Sequence, residues 1–154
     1  MKKILIIILT LFCIFNIYGQ SSSENLITTF FDKFEKEGSN SAIDYIYSTN
    51  KSSNVLKNEV DELKTKLTKT IELLGKYHGY EYIVSKSVGT SLILYSYLIK
   101  YDRQPIRFTF ILYKADNEWA LFNFLYDAKF DEELKEAAKV YRLLENIPLI
   151  PNNK

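Results

Sequence analysis

The chain has 154 residues, with 20 lysines and arginines against 19 aspartates and glutamates and a formal net charge of +1 at pH 7. This length is typical of one domain, and a near-neutral balance gives no electrostatic basis for binding nucleic acid. Hydrophobic residues make up 47% of the chain and aromatic residues 15%, which is typical of a globular protein. Composition therefore predicts a single globular domain with no nucleic-acid partner.

The first segment, residues 1–19, is typical of a secretory signal peptide. Two lysines precede an apolar run over positions 4–15, and the small residue Gly19 stands at the expected cleavage point. The run is shorter than the roughly 20 apolar residues that span a bilayer. We therefore expect an exported chain, periplasmic or extracellular, that starts at Gln20 and has no membrane attachment after cleavage. A retained N-terminal anchor is the alternative.

Cleavage would also change the chemistry of the mature chain. Cys13, the only cysteine, would be lost together with two lysines, which leaves 18 basic against 19 acidic residues. We therefore expect no disulfide, and a single domain over residues 20–147 stabilised by its apolar core. Residues 148–154 are expected to form a flexible tail.

Three helices are predicted before the first strand. The first carries four apolar residues with i, i+3, i+4, i+7 spacing, which are Ile27, Phe30, Phe31 and Phe34. Gly38 ends it, and a second short helix opens near Ser41. The third extends from about Val55 to Leu74, with apolar residues every three or four positions, and Gly75 is a suitable C-cap.

An aromatic-rich stretch, Ser91 to Asp127, predicts three consecutive antiparallel strands at residues 92–101, 106–114 and 119–126. A further strand is predicted before them at residues 80–88, after a loop at residues 76–79. A last helix is predicted from Asp131 to Leu144. Its inward residues are expected to be Leu134, Ala137, Ala138, Tyr141 and either Leu144 or Val140.

Alternation assigns the strand residues to two faces of the sheet. Tyr95, Tyr97 and Ile99 share one face, and Leu94 and Leu98 share the other. In the last strand the same rule groups Trp119, Leu121, Asn123 and Leu125. Both faces are largely apolar, so we expect helices on one face and a partner, a ligand or a second copy on part of the other.

The order of elements predicts an α+β fold, in which N-terminal helices pack on a curved, mainly antiparallel sheet of about four strands and a C-terminal helix follows. Several motifs resemble small exported bacterial proteins of the nuclear transport factor 2-like, cystatin-related fold, whose function is unassigned. These motifs are Gly-Tyr-Glu at 79–81, Tyr-Asp-Arg-Gln-Pro-Ile-Arg-Phe at 101–108, Tyr-Lys at 113–114 and Trp-x-Leu-x-Asn-Phe at 119–124. The resemblance covers about residues 24–127. It implies the fold and sheet-to-sheet pairing, and it is silent on activity because such folds host enzymes, binders and scaffolds.

No catalytic or metal-binding motif stands out in the sequence. His78, the only histidine, lies in a predicted loop and has no cysteine or second histidine at metal-ligand spacing, so we predict no metal and no cofactor. Arg107 lies in an apolar strand, where it could hold an anionic ligand; an ion pair with Glu81, Asp102 or Asp127 at the sheet rim is the preferred interpretation. Asn123 is expected to point into a cavity or to lie at a bulge.

We therefore expect an exported, non-enzymatic module that binds a partner protein or a small apolar ligand, through its sheet face or through the cone between helices and sheet. The candidate binding residues are Tyr80, Glu81, Tyr95, Tyr97, Arg103, Arg107 and Asn123. The uncovered face is expected to be that of Tyr95 and Tyr97, with Ile111 and Tyr113 as neighbours, and to form a homodimer or to bind a protein partner in its place. The alternative is a small isomerase or hydrolase with its site in the cone, near Asp44 or His78.

Overall fold

The computed structural model describes residues 22–51 and 53–145, and it confirms the α+β fold. The predicted signal peptide and the predicted tail at 148–154 lie outside the described residues. The helices are α1 (Ser23–Glu37), α2 (Ser39–Ser48), a 3-10 turn (Ser53–Leu56), α3 (Lys57–Leu74) and α4 (Phe130–Glu145). The strands are β1 (Tyr77–Val88), β2 (Leu92–Tyr101), β3 (Ile106–Lys114) and β4 (Trp119–Asp127). They form one antiparallel sheet in the order β1-β2-β3-β4.

Helix α1 forms as its sequence predicts. Ser22 is the N-cap, and its hydroxyl accepts a hydrogen bond from the Asn25 N–H at 3.1 Å. The predicted apolar stripe is buried throughout. Gly38 ends the helix with φ +91°, a conformation that favours glycine, and α2 begins at the next residue.

Helix α3 begins two residues later than predicted, at Lys57, because a 3-10 turn precedes it. Val60, Leu67 and Leu74 are buried along one side of this helix. Gly75 caps it with φ +87°. The stripe therefore packs on the rest of the domain, as its short length predicts.

Phe30 lies at the centre of the core between α1 and the sheet. Its ring is 4.9 Å from that of Phe110, 5.8 Å from that of Phe124 and 6.1 Å from that of Phe108, measured between centroids. All four rings are almost fully buried. Edge-to-face and tilted ring pairs such as these add to the free energy of apolar burial.

The face of β2 that carries Tyr95, Tyr97 and Ile99 is the one that the helices cover. Tyr95 and Ile99 are buried, and the Tyr95 hydroxyl lies 2.9 Å from the Ser23 hydroxyl at the start of α1. Tyr97 packs on the ring of Phe31. The prediction that this face is the uncovered one is therefore wrong, because it fills the space under α1. We call this side the inner face and the opposite side the outer face.

A bulge in β4 changes the faces predicted for that strand. Leu112 pairs with Leu121 and Ile111 pairs with Asn123, so Phe122 is the extra residue. The bulge moves Asn123 and the residues after it by one position, and Phe124 becomes buried while Leu125 is exposed. Of the two interpretations of Asn123, the structure shows the bulge, and the grouping of Leu125 with Leu121 is wrong.

The C-terminal end of α2 covers the edge of the sheet at this bulge. The N–H of Leu121 donates a hydrogen bond to the Thr49 hydroxyl at 2.9 Å, and the Asn50 side-chain amide donates to the Leu121 carbonyl at 2.9 Å. Two polar side chains therefore satisfy the backbone of an edge strand that no further strand pairs with in the described sheet.

Strand β1 begins at Tyr77, three residues before the predicted start. The pairing shifts register between Tyr77 and Tyr80, and Gly79 lies within that shift with φ +99°. A bulge at Gly79 thus allows residues from the predicted loop at 76–79 to pair with β2. His78 consequently lies in the strand and not in a loop.

Helix α4 begins close to its predicted position, but its apolar side chains are not inward. Leu134 is 69% exposed and Tyr141 is 66% exposed. Ala137, Ala138 and Val140 are exposed as well. The amphipathic pattern correctly predicts a helix, while the expected contact with the domain is wrong. Among the described residues, no helix combines the length and the apolar content that crossing a bilayer requires.

Candidate functional site

The outer face carries exposed apolar side chains on β3 and β4. Tyr113, Phe122 and Leu125 are the exposed large side chains of β3 and β4, and Phe122 is 65% exposed. Tyr113 and Phe122 line one open cleft beside the β3–β4 hairpin. We call these three residues the outer patch.

Arg107 connects the outer face to the start of α4. Its guanidinium binds both carboxylate oxygens of Asp127, with Nε to Oδ2 at 3.1 Å and Nη2 to Oδ1 at 2.8 Å. It also donates to the Glu133 carboxylate and lies 5.4 Å from the ring centroid of Phe130. The Arg107 side chain is only 16% exposed. The guanidinium is therefore occupied by the protein's own carboxylates. An ion pair is confirmed, and of the three predicted partners it is formed with Asp127.

The electrostatics of Asp127 reflect this pairing. Burial by itself would raise the pKa of the Asp127 carboxyl, but the hydrogen bonds from Arg107 and from the Lys129 N–H outweigh burial and lower it. A lowered pKa in the folded state means that the ionised pair stabilises the fold at neutral pH. That stabilisation is lost as the pH falls through the folded-state pKa, below the ordinary aspartate range.

Arg107→Ala is expected to lower the free energy of unfolding by about 1–3 kcal/mol, measured by urea denaturation at pH 7. This is more than an exposed ion pair contributes, because a two-point hydrogen bond to a partly buried carboxylate would be lost. Lys66→Ala, which removes an exposed pair with Glu62 on α3, is the matched control and should leave the midpoint unchanged. Equal effects of the two substitutions would contradict this interpretation of Arg107.

Asp102, one of the three predicted partners of Arg107, and the candidate binding residue Arg103 contact other parts of the chain. The Lys76 N–H donates to the Asp102 carboxylate at 2.7 Å, and His78 Nε2 lies 2.6 Å from the same carboxylate. Both hydrogen bonds lower the pKa of the Asp102 carboxyl, and the bond to His78 has the larger effect. Arg103 donates to the Leu73 carbonyl at 2.6 Å. The β2–β3 turn thus binds the junction between α3 and β1, which is a structural role.

Two of the candidate tyrosines form a cluster at the inner edge of the sheet. The Tyr80 ring stacks on that of Phe31 with a centroid distance of 3.7 Å, and the Tyr97 ring lies 5.0 Å from that of Phe31. Burial raises the pKa of Tyr97 to about 12. These phenols remain protonated at neutral pH, and their rings belong to the margin of the core.

The structure therefore separates the seven candidate binding residues. Tyr80, Tyr95 and Tyr97 share the inner face. Glu81, Arg107 and Asn123 lie on the outer face or at its margin, where Glu81 pairs with Lys100 at 2.8 Å. Arg103 lies in the β2–β3 turn.

The two residues considered for an enzymatic site are exposed. The Asp44 carboxylate binds Lys64 at 2.8 Å and its side chain is 60% exposed. His78 is also exposed. Within residues 22–51 and 53–145, no three or more His, Cys, Asp and Glu side chains are grouped so that they could hold a metal ion.

Sequence reasoning missed two features of the surface. The outer patch arises from the bulge at Phe122, and asparagine between two leucines was the only signal for that bulge. A cavity between the ends of α1 and α3 contains Tyr101 and Tyr77. No short motif marks this cavity, since its walls come from five separate elements, α1, α2, α3, β1 and β2.

Comparisons with protein-family models, with curated proteins and with solved structures found no match. The site must therefore be interpreted from its own chemistry. The resemblance to the nuclear transport factor 2-like fold stays a prediction.

Proposed function

We propose that the protein is an exported, non-enzymatic binding module whose partner surface is the outer face of the sheet. The observation that carries the proposal is the outer patch, an exposed group of large apolar side chains on a face that α1, α2 and α3 do not cover. Exposed apolar surface shared by several neighbouring residues commonly marks an interaction site. The nuclear transport factor 2-like fold belongs to the same proposal.

The occupant we propose for this face is α4 of a second copy. Leu134, Ala138 and Tyr141 stand at i, i+4, i+7 spacing, and we call them the α4 stripe. Charged side chains flank this stripe and lie on the far side of the helix, where they form ion pairs, Asp131 with Lys135 at 3.1 Å beside the stripe and Glu136 with Lys139 at 2.8 Å opposite it. Each chain therefore has an amphipathic helix with an exposed apolar side and a sheet face with exposed apolar residues.

The dimensions of the two surfaces agree. At about 1.5 Å per residue, the 16 residues of α4 extend roughly 24 Å. At about 3.3 Å per residue, the nine residues of β4 extend roughly 30 Å. In a reciprocal dimer, α4 of each chain would lie on the sheet of its partner. Both α4 stripes and both outer patches would then be buried, and the dimer would close with two-fold symmetry.

The contacts of Arg107 favour α4 of a second chain, and not α4 of the same chain, as the occupant of the outer patch. Its bonds to Asp127 and Glu133 hold the first turn of α4 at the end of the sheet. The α4 stripe beyond that turn is exposed and does not fold back on its own outer patch. A second chain can supply the missing contact without breaking these bonds.

We expect the protein to sediment as a dimer at micromolar concentration and Tyr141→Glu to sediment as a folded monomer, because a charge in the α4 stripe cannot be buried against an apolar face. Leu73→Glu is the matched control, since Leu73 is 67% exposed on α3, away from the proposed surface. Analytical ultracentrifugation with circular dichroism measures both. A monomeric wild-type protein would refute the pair.

A crosslinking experiment distinguishes a partner's helix from the chain's own. Two chains in a Cys13→Ser background, one with Leu125→Cys and the other with Tyr141→Cys, are mixed and oxidised. We expect a disulfide between different chains, because α4 of one lies on the outer patch of the other. A chain that carries both substitutions is oxidised for comparison. If a disulfide forms within that chain and none forms between the two mixed chains, α4 covers its own sheet.

A further inference from the structure

Two tyrosine rings on β1 are exposed on the inner side of the sheet. Tyr80 pairs with Ile99 and Tyr82 pairs with Tyr97, and these partners belong to the inner face, so both tyrosines lie on that side. Tyr80 is 37% exposed and Tyr82 is 56% exposed. Since β1 is an outermost strand of the described sheet, both rings lie at its margin, where a partner has access to them. We call Tyr80 and Tyr82 the tyrosine pair.

The tyrosine pair is held in place by its neighbours. The Tyr80 ring lies almost parallel to that of Phe31, with 3.7 Å between centroids. Because Phe31 is a core residue, it covers the inward face of Tyr80, and the exposed part of the ring is the opposite face. The Tyr97 ring packs edge-on against both rings of the pair, and the Tyr82 hydroxyl donates to the Ser85 hydroxyl at 2.9 Å. Little side-chain entropy therefore remains to be lost on binding.

A row of exposed carboxylates on α1 lies beside these tyrosines. The row consists of Glu24, Asp32 and Glu35. Steps of eight and three residues place them within about 80° of one another around the helix axis. The Glu35 carboxylate accepts a hydrogen bond from the hydroxyl of Tyr77, which is also on β1, at 2.9 Å. This side of α1 therefore faces β1, and we call the three carboxylates the acidic row.

The charges of the acidic row act on the tyrosines of the sheet. Burial is the main cause of the raised pKa of Tyr80, and the carboxylates of Glu35 and Asp32 raise it further. Burial and the neighbouring tyrosines raise the pKa of Tyr97, and Glu24 adds to them. A negative potential disfavours a second negative charge, so the same potential attracts a cation to this margin.

A lysine on α1 compensates only part of this charge. Lys36 Nζ lies 3.9 Å from the Asp32 carboxylate, and both side chains are more than half exposed, so the pair is weak. Neither Glu24 nor Glu35 forms an ion pair with another residue in the described part of the chain. The margin between α1 and β1 is therefore both aromatic and negatively charged.

We propose that the tyrosine pair and the acidic row bind an extended segment of a partner protein that carries arginines at alternate positions. Tyr80 and Tyr82 are two residues apart on a strand, roughly 6.6 Å, which is also the spacing of alternate side chains in an extended segment. A guanidinium is planar and stacks on an aromatic face, while the carboxylates supply the opposite charge. This surface lies across the sheet from the outer patch, so the inference is independent of the proposed pairing.

Three peptides of equal length test the inference: acetyl-Val-Arg-Val-Arg-Val-amide and its counterparts with lysine or glutamine in place of both arginines. Binding is measured by protein-observed NMR titration, following the backbone amides of Tyr80 and Tyr82. We expect the arginine peptide to bind about five- to thirtyfold more tightly than the glutamine peptide at low salt, since each exposed cation–aromatic contact gives a factor of about two to five. The lysine peptide should bind with intermediate affinity, and added salt should reduce both preferences.

Asp32→Asn combined with Glu35→Gln should weaken binding of the arginine peptide about two- to tenfold, because two exposed charges are removed beside the tyrosines. Glu59→Gln combined with Glu62→Gln removes the same net charge near the start of α3, where both side chains are exposed, and should change the affinity less than twofold. This comparison separates the acidic row from a general effect of net charge.

Tyr82→Ala should weaken the arginine peptide about two- to fivefold, whereas Tyr113→Ala, which removes an exposed tyrosine from the outer face, should leave its affinity unchanged. The inference is overturned if the arginine peptide does not bind or binds no more tightly than the glutamine peptide. It is also overturned if the α3 variant weakens binding as much as the α1 variant. A loss of affinity at Tyr113 equal to that at Tyr82 would assign the peptide to the outer patch instead.

Discussion

Phe30→Ala is expected to lower the free energy of unfolding by about 3–5 kcal/mol, measured by urea denaturation at pH 7. Phe30 is fully buried, and rings from α1, β3 and β4 surround it. Removing the phenyl group takes away its transfer free energy and leaves a cavity that rigid neighbouring rings cannot fill. This is a large share of the roughly 5–15 kcal/mol that stabilises a typical domain.

Phe122→Ala is the matched control for Phe30. The same atoms are removed at the β4 bulge, where the side chain is mostly exposed. At dilute concentration, where pairing contributes nothing, we expect a change within about 0.5 kcal/mol. A loss at Phe30 no larger than that at Phe122 would show that α1 does not pack on the sheet as described.

Tyr95→Glu is expected to unfold the protein at pH 7, whereas Tyr113→Glu should leave it folded and monomeric. Tyr95 is buried on the inner face and Tyr113 is exposed on the outer face, so the two substitutions place the same charge on opposite sides of one sheet. An unpaired carboxylate in the core costs several kcal/mol, and the hydrogen bond to Ser23 is lost as well. Circular dichroism and sedimentation of both variants make the comparison.

The pH dependence of Tyr95→Glu gives a second test. Burial raises the pKa of a carboxyl above its unfolded value near 4.3, so the cost applies at neutral pH and disappears below that value, where both states are protonated. We therefore expect Tyr95→Glu to recover part of its helix and sheet signal near pH 4. A folded Tyr95→Glu variant at pH 7, or an unfolded Tyr113→Glu variant, would reverse the assignment of the two faces.

The helices and strands were predictable because their signals are local. The apolar stripe of α1 and the glycines at 38 and 75 specify periodicity and caps within one segment. The three strands predicted in the stretch from Ser91 to Asp127 follow from the same kind of signal. Each of these features depends on neighbours within a few positions in the chain.

The choice of the covered face was not predictable, since alternation defines two faces without stating which of them the helices meet. The hydrogen bond between Tyr95 and Ser23 joins residues 72 positions apart, and no local pattern specifies it. The bulge at Phe122 had a similar effect, because one extra residue exchanges the faces of all that follow. The prediction of a tyrosine-lined interface failed for these reasons.

The surroundings of α4 and of Tyr101 show the same limit. Amphipathic spacing in α4 indicates a helix that needs an apolar neighbour, but it does not say whether that neighbour belongs to the same chain. Alternation places Tyr101 on the same face as Tyr95, but whether its hydroxyl finds a partner depends on the placement of α1 and α3. Tertiary packing determines both the apolar neighbour of α4 and the surroundings of the Tyr101 hydroxyl.

The contact of Thr49 and Asn50 with Leu121 has a consequence for aggregation. Filament growth through sheets requires a continuous row of free backbone groups on both margins of each unit, so that every added molecule offers a new template. The Leu121 N–H and C=O are already occupied, which interrupts that row on β4. Of the described strands, we therefore expect β1 and not β4 to accept a further strand more readily, and two molecules joined margin to margin through β1 would leave only the interrupted β4 margins. Substituting Thr49 and Asn50 would reopen the second margin and allow open-ended, fibre-like growth.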